Sequence, residues 1–373
     1  MQGIYLHIPF CKQACTYCDF HFSTLLKNKK EITDAICKEI ELRKNYLDSK
    51  ILNSIYFGGG TPSLLDKNEL EQIFETLTKN YTWDKNAEIT FECNPDDLTE
   101  EKLNDLKMFG VNRLSVGLQS FNDEELKWMN RAHDAGQSES CIKLAQDKGF
   151  ENISIDLIYG SKFQTLQSWE QTLLKAIGLN VKHISSYNLT VEQKTALGIA
   201  VAKGLEPVVD DEKSSQQFLL MSEILEKNDF VHYEISNFAK QDFFAVHNSN
   251  YWKGCKYIGI GPSAHSFNGK ERQWNIANNS SYANAVKYNL PHFEIEHLSL
   301  ENKYNEYILT GLRTIWGCDL NFIKEKFGEK FSEHFLFKLK LQNSEFYTQN
   351  QNNFRLTKKG KLFADKIAME LFV

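Results

Sequence analysis

The chain has 373 residues, 42% of them hydrophobic and 25% charged, with 43 basic against 49 acidic side chains and a net charge of −6. That is enough apolar material for one large core plus smaller modules, and the acidic balance argues against a nucleic-acid binder working through a broad basic field. No apolar run reaches the roughly 18 to 20 residues that cross a bilayer, which leaves only peripheral membrane contact open.

From residue 3 to about residue 190, short apolar runs alternate with longer amphipathic segments, the pattern of βα units on a parallel sheet. The pattern predicts strands over 3–8, 51–57, 87–93, 112–117, 152–158 and 182–188. Between them it predicts helices over 31–47, 66–80, 99–108, 122–147 (broken at Gly136) and 165–178. Six strands separated by helices make a barrel that need not close. A charged amphipathic helix at 210–227 then leads into 232–238 and an aromatic, glycine-rich stretch over 247–266. Helices at 301–315, 319–327 and 330–341, a hairpin at 350–353 and a last helix from Thr357 resemble a small winged-helix module. With no basic face to match, that module reads as a structural or docking domain. The expected units are residues 1–200 for the barrel, 201–300 for an extension of it and 301–373 for the small C-terminal domain.

In βα barrels the working groups gather where strands run into the loops before the helices. The first exit carries Cys11, Cys15 and Cys18 as Cys-x3-Cys-x2-Cys. Cysteine thiolates usually hold a [4Fe–4S] cluster four at a time, so a compact triplet leaves one iron open to an outside ligand. A structural zinc ion completed by His7, His21 or Cys37 competes with this reading, although zinc ligands usually come as two separated pairs. The other five cysteines, Cys37, Cys93, Cys141, Cys255 and Cys318, lie singly. With no secretory leader ahead of them, they read as thiols of a reducing compartment, and the expected localisation is cytoplasmic.

The second exit is Gly58-Gly59-Gly60-Thr61-Pro62, where a backbone without Cβ atoms can approach a ligand closely. A tight turn made for packing is the plain alternative. Later exits present Glu92, Gln119 and Asp156, with Arg131 further along. Two carboxylates, an amide and a guanidinium could bind the amino-acid end and ribose hydroxyls of a nucleoside cofactor. Taken singly each is more often a solvated or ion-paired residue, and their collective placement carries the inference.

The segment Tyr5-Leu6-His7-Ile8-Pro9-Phe10-Cys11-x3-Cys15-x-Tyr17-Cys18 resembles the signature of radical S-adenosylmethionine (SAM) enzymes. Its flanks resemble the group containing oxygen-independent coproporphyrinogen III oxidase and the HemW heme chaperones. The resemblance runs through nearly the whole chain, by way of the triglycine turn, Ser115-Val116-Gly117-Leu118-Gln119-Ser120 and Asp156-Leu157-Ile158-Tyr159-Gly160. It implies an α/β fold: a partial (β/α)6 radical-SAM barrel with a C-terminal α+β extension and a small winged-helix-like domain. It also implies that Cys11, Cys15 and Cys18 hold a [4Fe–4S] cluster whose open iron is chelated by SAM. By the same resemblance Tyr5, Gly59, Gly60, Thr61, Glu92, Gln119, Arg131 and Asp156 line the SAM site, with Leu189 contributing through its backbone.

Within that group the decarboxylating oxidase carries a further cysteine two residues after the third, and a long arm before its cluster loop. Here Phe20 holds that place and the first cluster cysteine is residue 11. The ending Cys18-Asp19-Phe20 and the segment His247-Asn248-x2-Tyr251-Trp252 resemble instead the HemW branch, whose members bind heme and deliver it to acceptors such as respiratory enzymes. The resemblance thus implies a heme chaperone. The alternative is an oxidase that consumes SAM and converts coproporphyrinogen III to protoporphyrinogen IX. His247 first and His265 second are the candidate axial ligands to heme iron, with Tyr251, Trp252 and Tyr257 on the porphyrin face. An isolated histidine in an aromatic stretch is, however, more often a hydrogen-bonded core residue. The expected partners are heme and heme-accepting proteins, without nucleic acid, and a homodimer stays open.

Overall fold

Strand β1 (Gln2–Ile8) shows how the barrel is built. Ile4, Leu6 and Ile8 are buried in the main apolar core, while Tyr5 and His7 alternate to the other face, as the two-residue period of a strand requires. In the computed structural model, which describes residues 1–373, β2 (Ile51–Gly59), β3 (Thr82–Cys93), β4 (Arg113–Gln119), β5 (Asn152–Tyr159) and β6 (His183–Asn188) follow β1 as successive parallel neighbours. All six predicted strands are present, β3 starting well ahead of its predicted bound.

The sheet is wider than the pattern suggested. A short antiparallel pair, β7 (Val231–Glu234) and β8 (Asn237–Ala239), extends it beyond β6. On the other side β9 (Lys256–Ile260) lies parallel to β1, and β10 (His265–Phe267), β11 (Glu271–Asn275) and β12 (Phe293–His297) continue it antiparallel. The order is β12-β11-β10-β9-β1-β2-β3-β4-β5-β6-β8-β7. Because β6 and β9 take different neighbours, the barrel stays open.

The predicted break at Gly136 falls elsewhere. One helix ends at Trp128 and the next runs Ala135–Asp147, with Asn130 in a left-handed conformation between them. Asp134 and Gln137 cap the second helix reciprocally, each side chain accepting from the other's backbone N–H, so Gly136 sits inside its first turn. The intervening loop carries Arg131.

Helix Val246–Trp252 plugs the lumen. The Glu88 carboxylate on β3 accepts from the backbone N–H groups of Val246 and His247, both at 2.8 Å, the favoured place for an acid at a helix start. A second, smaller core built from residues of 304–371 forms the C-terminal domain, with β13 (Cys318–Asp319), β14 (Tyr347–Asn350) and β15 (Asn353–Leu356) as its sheet. It joins the barrel through Ile235 N–H to the Arg313 carbonyl and Ile315 N–H to the Tyr233 carbonyl, each at 3.0 Å.

Glu39 ties the helix Lys29–Leu42 to the β9–β12 region. Its fully buried carboxylate accepts from Arg43 at 2.8 Å, Tyr282 at 2.6 Å, Asn275 at 2.9 Å and the Gly261 N–H at 2.8 Å. Glu39→Ala strands the buried Arg43 guanidinium without its counter-charge and is expected to destabilise the protein by about 3–5 kcal/mol. Denaturant unfolding measures this, and a loss below about 1 kcal/mol would show that the pair is effectively solvated.

Candidate functional site

The cysteine loop is held in place from several sides. Cys11 N–H donates to the Ser23 carbonyl at 3.1 Å, Thr16 N–H to that of Met129 at 3.2 Å, and the Asn130 amide to that of Ala14 at 2.8 Å. Lys12 pairs with Asp96 and Asp97 beside the third exit. Cys11, Cys15 and Cys18 are half-buried and free. Two donors reach their sulfurs: Thr61 Oγ1 lies 3.2 Å from Cys11 Sγ and Arg131 Nη1 lies 3.4 Å from Cys15 Sγ. Burial pushes the Cys11 and Cys18 thiols up to about 11, so thiolates here call for strong positive charge, which a coordinated metal supplies.

The fourth ligands of a zinc site are engaged elsewhere. His7 Nδ1 meets Tyr5 OH at 3.1 Å, and its Nε2 meets the His21 carbonyl at 2.8 Å. His21 Nε2 bonds to Asn279 at 2.7 Å, and Cys37 is buried against the Gln72 carbonyl. No three His, Cys, Asp or Glu side chains converge on a single ion. Three half-buried thiols with no fourth protein ligand fit a cluster with one open iron better than a closed zinc site.

The triglycine turn lies against β1 and the loop. Gly59 has φ +107°, and a Cβ on it would come within 2.6 Å of the His7 ring; one on Gly60 would come within 2.7 Å of the Phe10 carbonyl oxygen. Packing therefore demands glycine there. Glu92 accepts from Tyr56 OH at 2.7 Å and from the Gly59 N–H at 3.2 Å. Burial nevertheless raises its carboxyl to about 7, and that of Asp156, within 3.4 Å of Ser115 Oγ, to about 6.

Gln119 is left-handed at φ +66°, next to a register slip between Gly117 and Gln119. A Cβ on Gly117 would lie 2.9 Å from Gln119 Nε2 and 3.3 Å from Arg131 Nη2, so amide and guanidinium stand side by side. Arg131 Nη2 donates to Asn94 Oδ1 at 2.6 Å and the Gly117 carbonyl at 2.8 Å, while its buried Nε–H has no acceptor. An orphaned donor of this kind suits an anionic ligand. Leu189 contributes less: its N–H is taken by the Tyr159 carbonyl at 2.8 Å, and its side chain packs in a small core with Met129 and Leu197. Asn94, which also donates to Thr61 at 3.3 Å, was missed by the sequence reading. Its place two residues after Glu92 on the same exit was the available signal.

The two candidate heme histidines lie in different surroundings. His247 is 2% exposed, its Nδ1 bonded to Ser54 at 2.8 Å and its Nε2 to Tyr251 OH at 2.7 Å. Burial lowers its pKa to about 3. Both ring nitrogens are hydrogen-bonded, as in a buried core histidine. His265 is exposed and lines a cavity of about 1280 Å³, above the roughly 300–1,000 Å³ of ordinary small-molecule sites, between the cysteine loop, the β9–β11 edge and the C-terminal domain. Asp19, Phe20 and His21 form part of the same wall, as do Tyr251, Trp252 and Tyr257.

An open parallel barrel whose first strand ends in a three-thiol loop, beside a cluster of polar side chains at the strand exits, defines a radical SAM protein. Residues 5–176 match the radical SAM superfamily, and residues 298–363 match the HemN C-terminal domain. The chain is 32% identical over 371 residues to the heme chaperone HemW of Bacillus subtilis, covering 98% of each. It is 33% identical over 330 residues to HemW of Lactococcus lactis, covering 88% of this chain and 85% of that one. The solved structure of coproporphyrinogen III oxidase (HemN) from Escherichia coli shares the fold, with a TM-score of 0.83 at 24% identity, covering 100% of this chain and 90% of that one. The chain belongs to the HemW family, and the radical SAM superfamily to which that belongs implies SAM and a [4Fe–4S] cluster.

Glu92 yields a pH prediction for the ligand-free protein. Between its ordinary value of 4.5 and the folded value of about 7, the unfolded chain releases a proton that the folded chain keeps. Stability therefore falls as pH rises through that window and levels off above it. Glu92→Gln should flatten this decline by on the order of 1–3 kcal/mol. Urea unfolding across pH 4 to 8 checks it, and parallel curves for the two proteins would count against a buried, uncompensated Glu92.

Proposed function

We propose that the chain is a heme chaperone that holds a SAM-ligated [4Fe–4S] cluster at the strand exits, binds heme in the adjoining cavity and passes it to acceptor proteins, respiratory enzymes among them. The observation that carries this reading is continuity: the residues directly after Cys18 are wall residues of the cavity. Phe20, 69% exposed, presents an aromatic surface on that wall, at the place where the oxidase pattern has a cysteine. The five cysteines outside the loop, all unbridged, suit a reducing cytoplasm, and no helix is long and apolar enough to cross a membrane.

Cys11, Cys15 and Cys18 would hold the cluster, which when bound supplies the electron for reductive cleavage of SAM. Arg131, with its free Nε–H, and Gln119 suit the SAM carboxylate. Glu92 suits the amino group, Asp156 the ribose hydroxyls, and Tyr5, Gly59, Gly60 and Thr61 shape the wall nearest the loop; Leu189 could offer only its carbonyl. In this reading His265, not His247, supplies the axial imidazole.

Cys11→Ala, Cys15→Ala and Cys18→Ala should each abolish the brown iron–sulfur absorbance after anaerobic reconstitution. Stoichiometric zinc in place of iron in the wild type would overturn the cluster. Titration with ferric heme separates the histidines: His265→Ala is expected to change the heme spectrum and weaken binding, whereas His247→Ala keeps the wild-type axial-ligand bands. An unaltered spectrum in His265→Ala would remove it as the ligand. Conversion of coproporphyrinogen to protoporphyrinogen with SAM would replace the chaperone reading with the oxidase one.

A further inference from the structure

The C-terminal domain forms much of the cavity, and its contribution has a repeated pattern. Tyr307 on helix Leu300–Leu312 and Phe322 on helix Leu320–Phe327 stack with centroids 4.6 Å apart and planes at 28°. Lys303 precedes Tyr307 by four residues and Lys326 follows Phe322 by four, so each ammonium lies one helical turn from its aromatic partner, on the same helix face. All four residues line the cavity. A stacked aromatic platform flanked by two cations is thereby turned toward the barrel.

Most other charges on the wall are already committed. Arg272 pairs with Glu306 at 2.8 Å, and Lys253 lies 4.1 Å from the Trp316 ring centroid. Asp319 caps the helix Leu320–Phe327 by accepting from the Phe322 N–H at 2.9 Å. Asp19, on the cysteine loop, is the remaining acid of the wall. Lys303 and Lys326 make no ion pair, although an ammonium beside an apolar cavity gains from an anionic partner.

Resting on the heme reading above, we infer that Lys303 and Lys326 form a carboxylate-binding rim, and that the cavity selects planar tetrapyrroles bearing free propionates. Aromatic faces take the ring and two ammonium groups take the acid edge. The C-terminal domain is then half of the binding site, not only a packing module.

The test titrates full-length protein with ferric heme and with its dimethyl ester, which keeps the ring and iron and removes both charges. Wild type should bind the ester about tenfold more weakly than heme. Lys303→Gln/Lys326→Gln should weaken heme by about the same factor while leaving ester affinity unchanged, and Lys303→Arg/Lys326→Arg should restore heme binding. Equal wild-type affinity for heme and ester overturns the rim and leaves the heme reading standing, as does a Gln double variant within twofold of wild type for heme. Failure of wild type to bind either compound removes the heme reading and the rim together. The wild-type comparison decides the matter even if the double variant does not fold.

Discussion

The Arg131 guanidinium is the joint on which the site depends. One side chain reaches the cysteine loop at Cys15 Sγ, the third exit at Asn94 and the fourth at the Gly117 carbonyl. It is delivered by a loop between two helices, and that loop exists because Asn130 ends one helix turn and Asp134 caps the next. A guanidinium suits the role because its donors form a rigid planar fork that can serve several acceptors at once. Lysine, a point charge on a flexible stem, could satisfy one of these partners but not all three.

A polar lumen requires a polar stopper. The inward faces of the strands carry Glu88, Arg113, Glu92 and Asp156 because the apolar alternate residues face the outer helices. Burying such groups is tolerable only when their hydrogen bonds are met. Helix Val246–Trp252 meets those of Glu88 at one end: Glu88 receives its first amides and lies 3.8 Å from the Arg113 guanidinium, and His247 bridges Ser54 to Tyr251. The lumen is closed there and remains open at the strand exits, where the glycine turn and the thiols lie.

This explains which parts were legible in the sequence. Strands β1 to β6 announce themselves because alternation and helix spacing are local signals, and the cysteine triplet is local too. The role of His247 is not, since it depends on Ser54, 193 residues away in the chain. Strand β9 was invisible for the same reason. It pairs with β1 across most of the chain, Gln2 opposite Lys256, and its Gly259 passes so close to β10 that a Cβ would stand 2.0 Å from the His265 carbonyl oxygen, contacts no periodicity records. The large cavity draws its walls from three separated stretches, 5–21, 251–272 and 300–327, so its size and the pairing of Lys303 with Lys326 emerge only once the chain is folded.

His7 shows how closely the two halves of the site are joined. Burial holds its pKa near 4, so the ring is neutral at cellular pH and carries one proton. Its Nε2 faces the His21 carbonyl, which can only accept, and its Nδ1 faces Tyr5 OH. The proton therefore belongs on Nε2, and Nδ1 accepts from the tyrosine. Tyr5, His7 and His21 all line the large cavity, His21 three residues past Cys18. One uncharged ring, in a single tautomer, thus links the first strand to the backbone that follows the cysteine loop. Displacement at either end has to be absorbed by a hydrogen bond at the other, because the Gly59 backbone packs against the ring and leaves it no room to move aside.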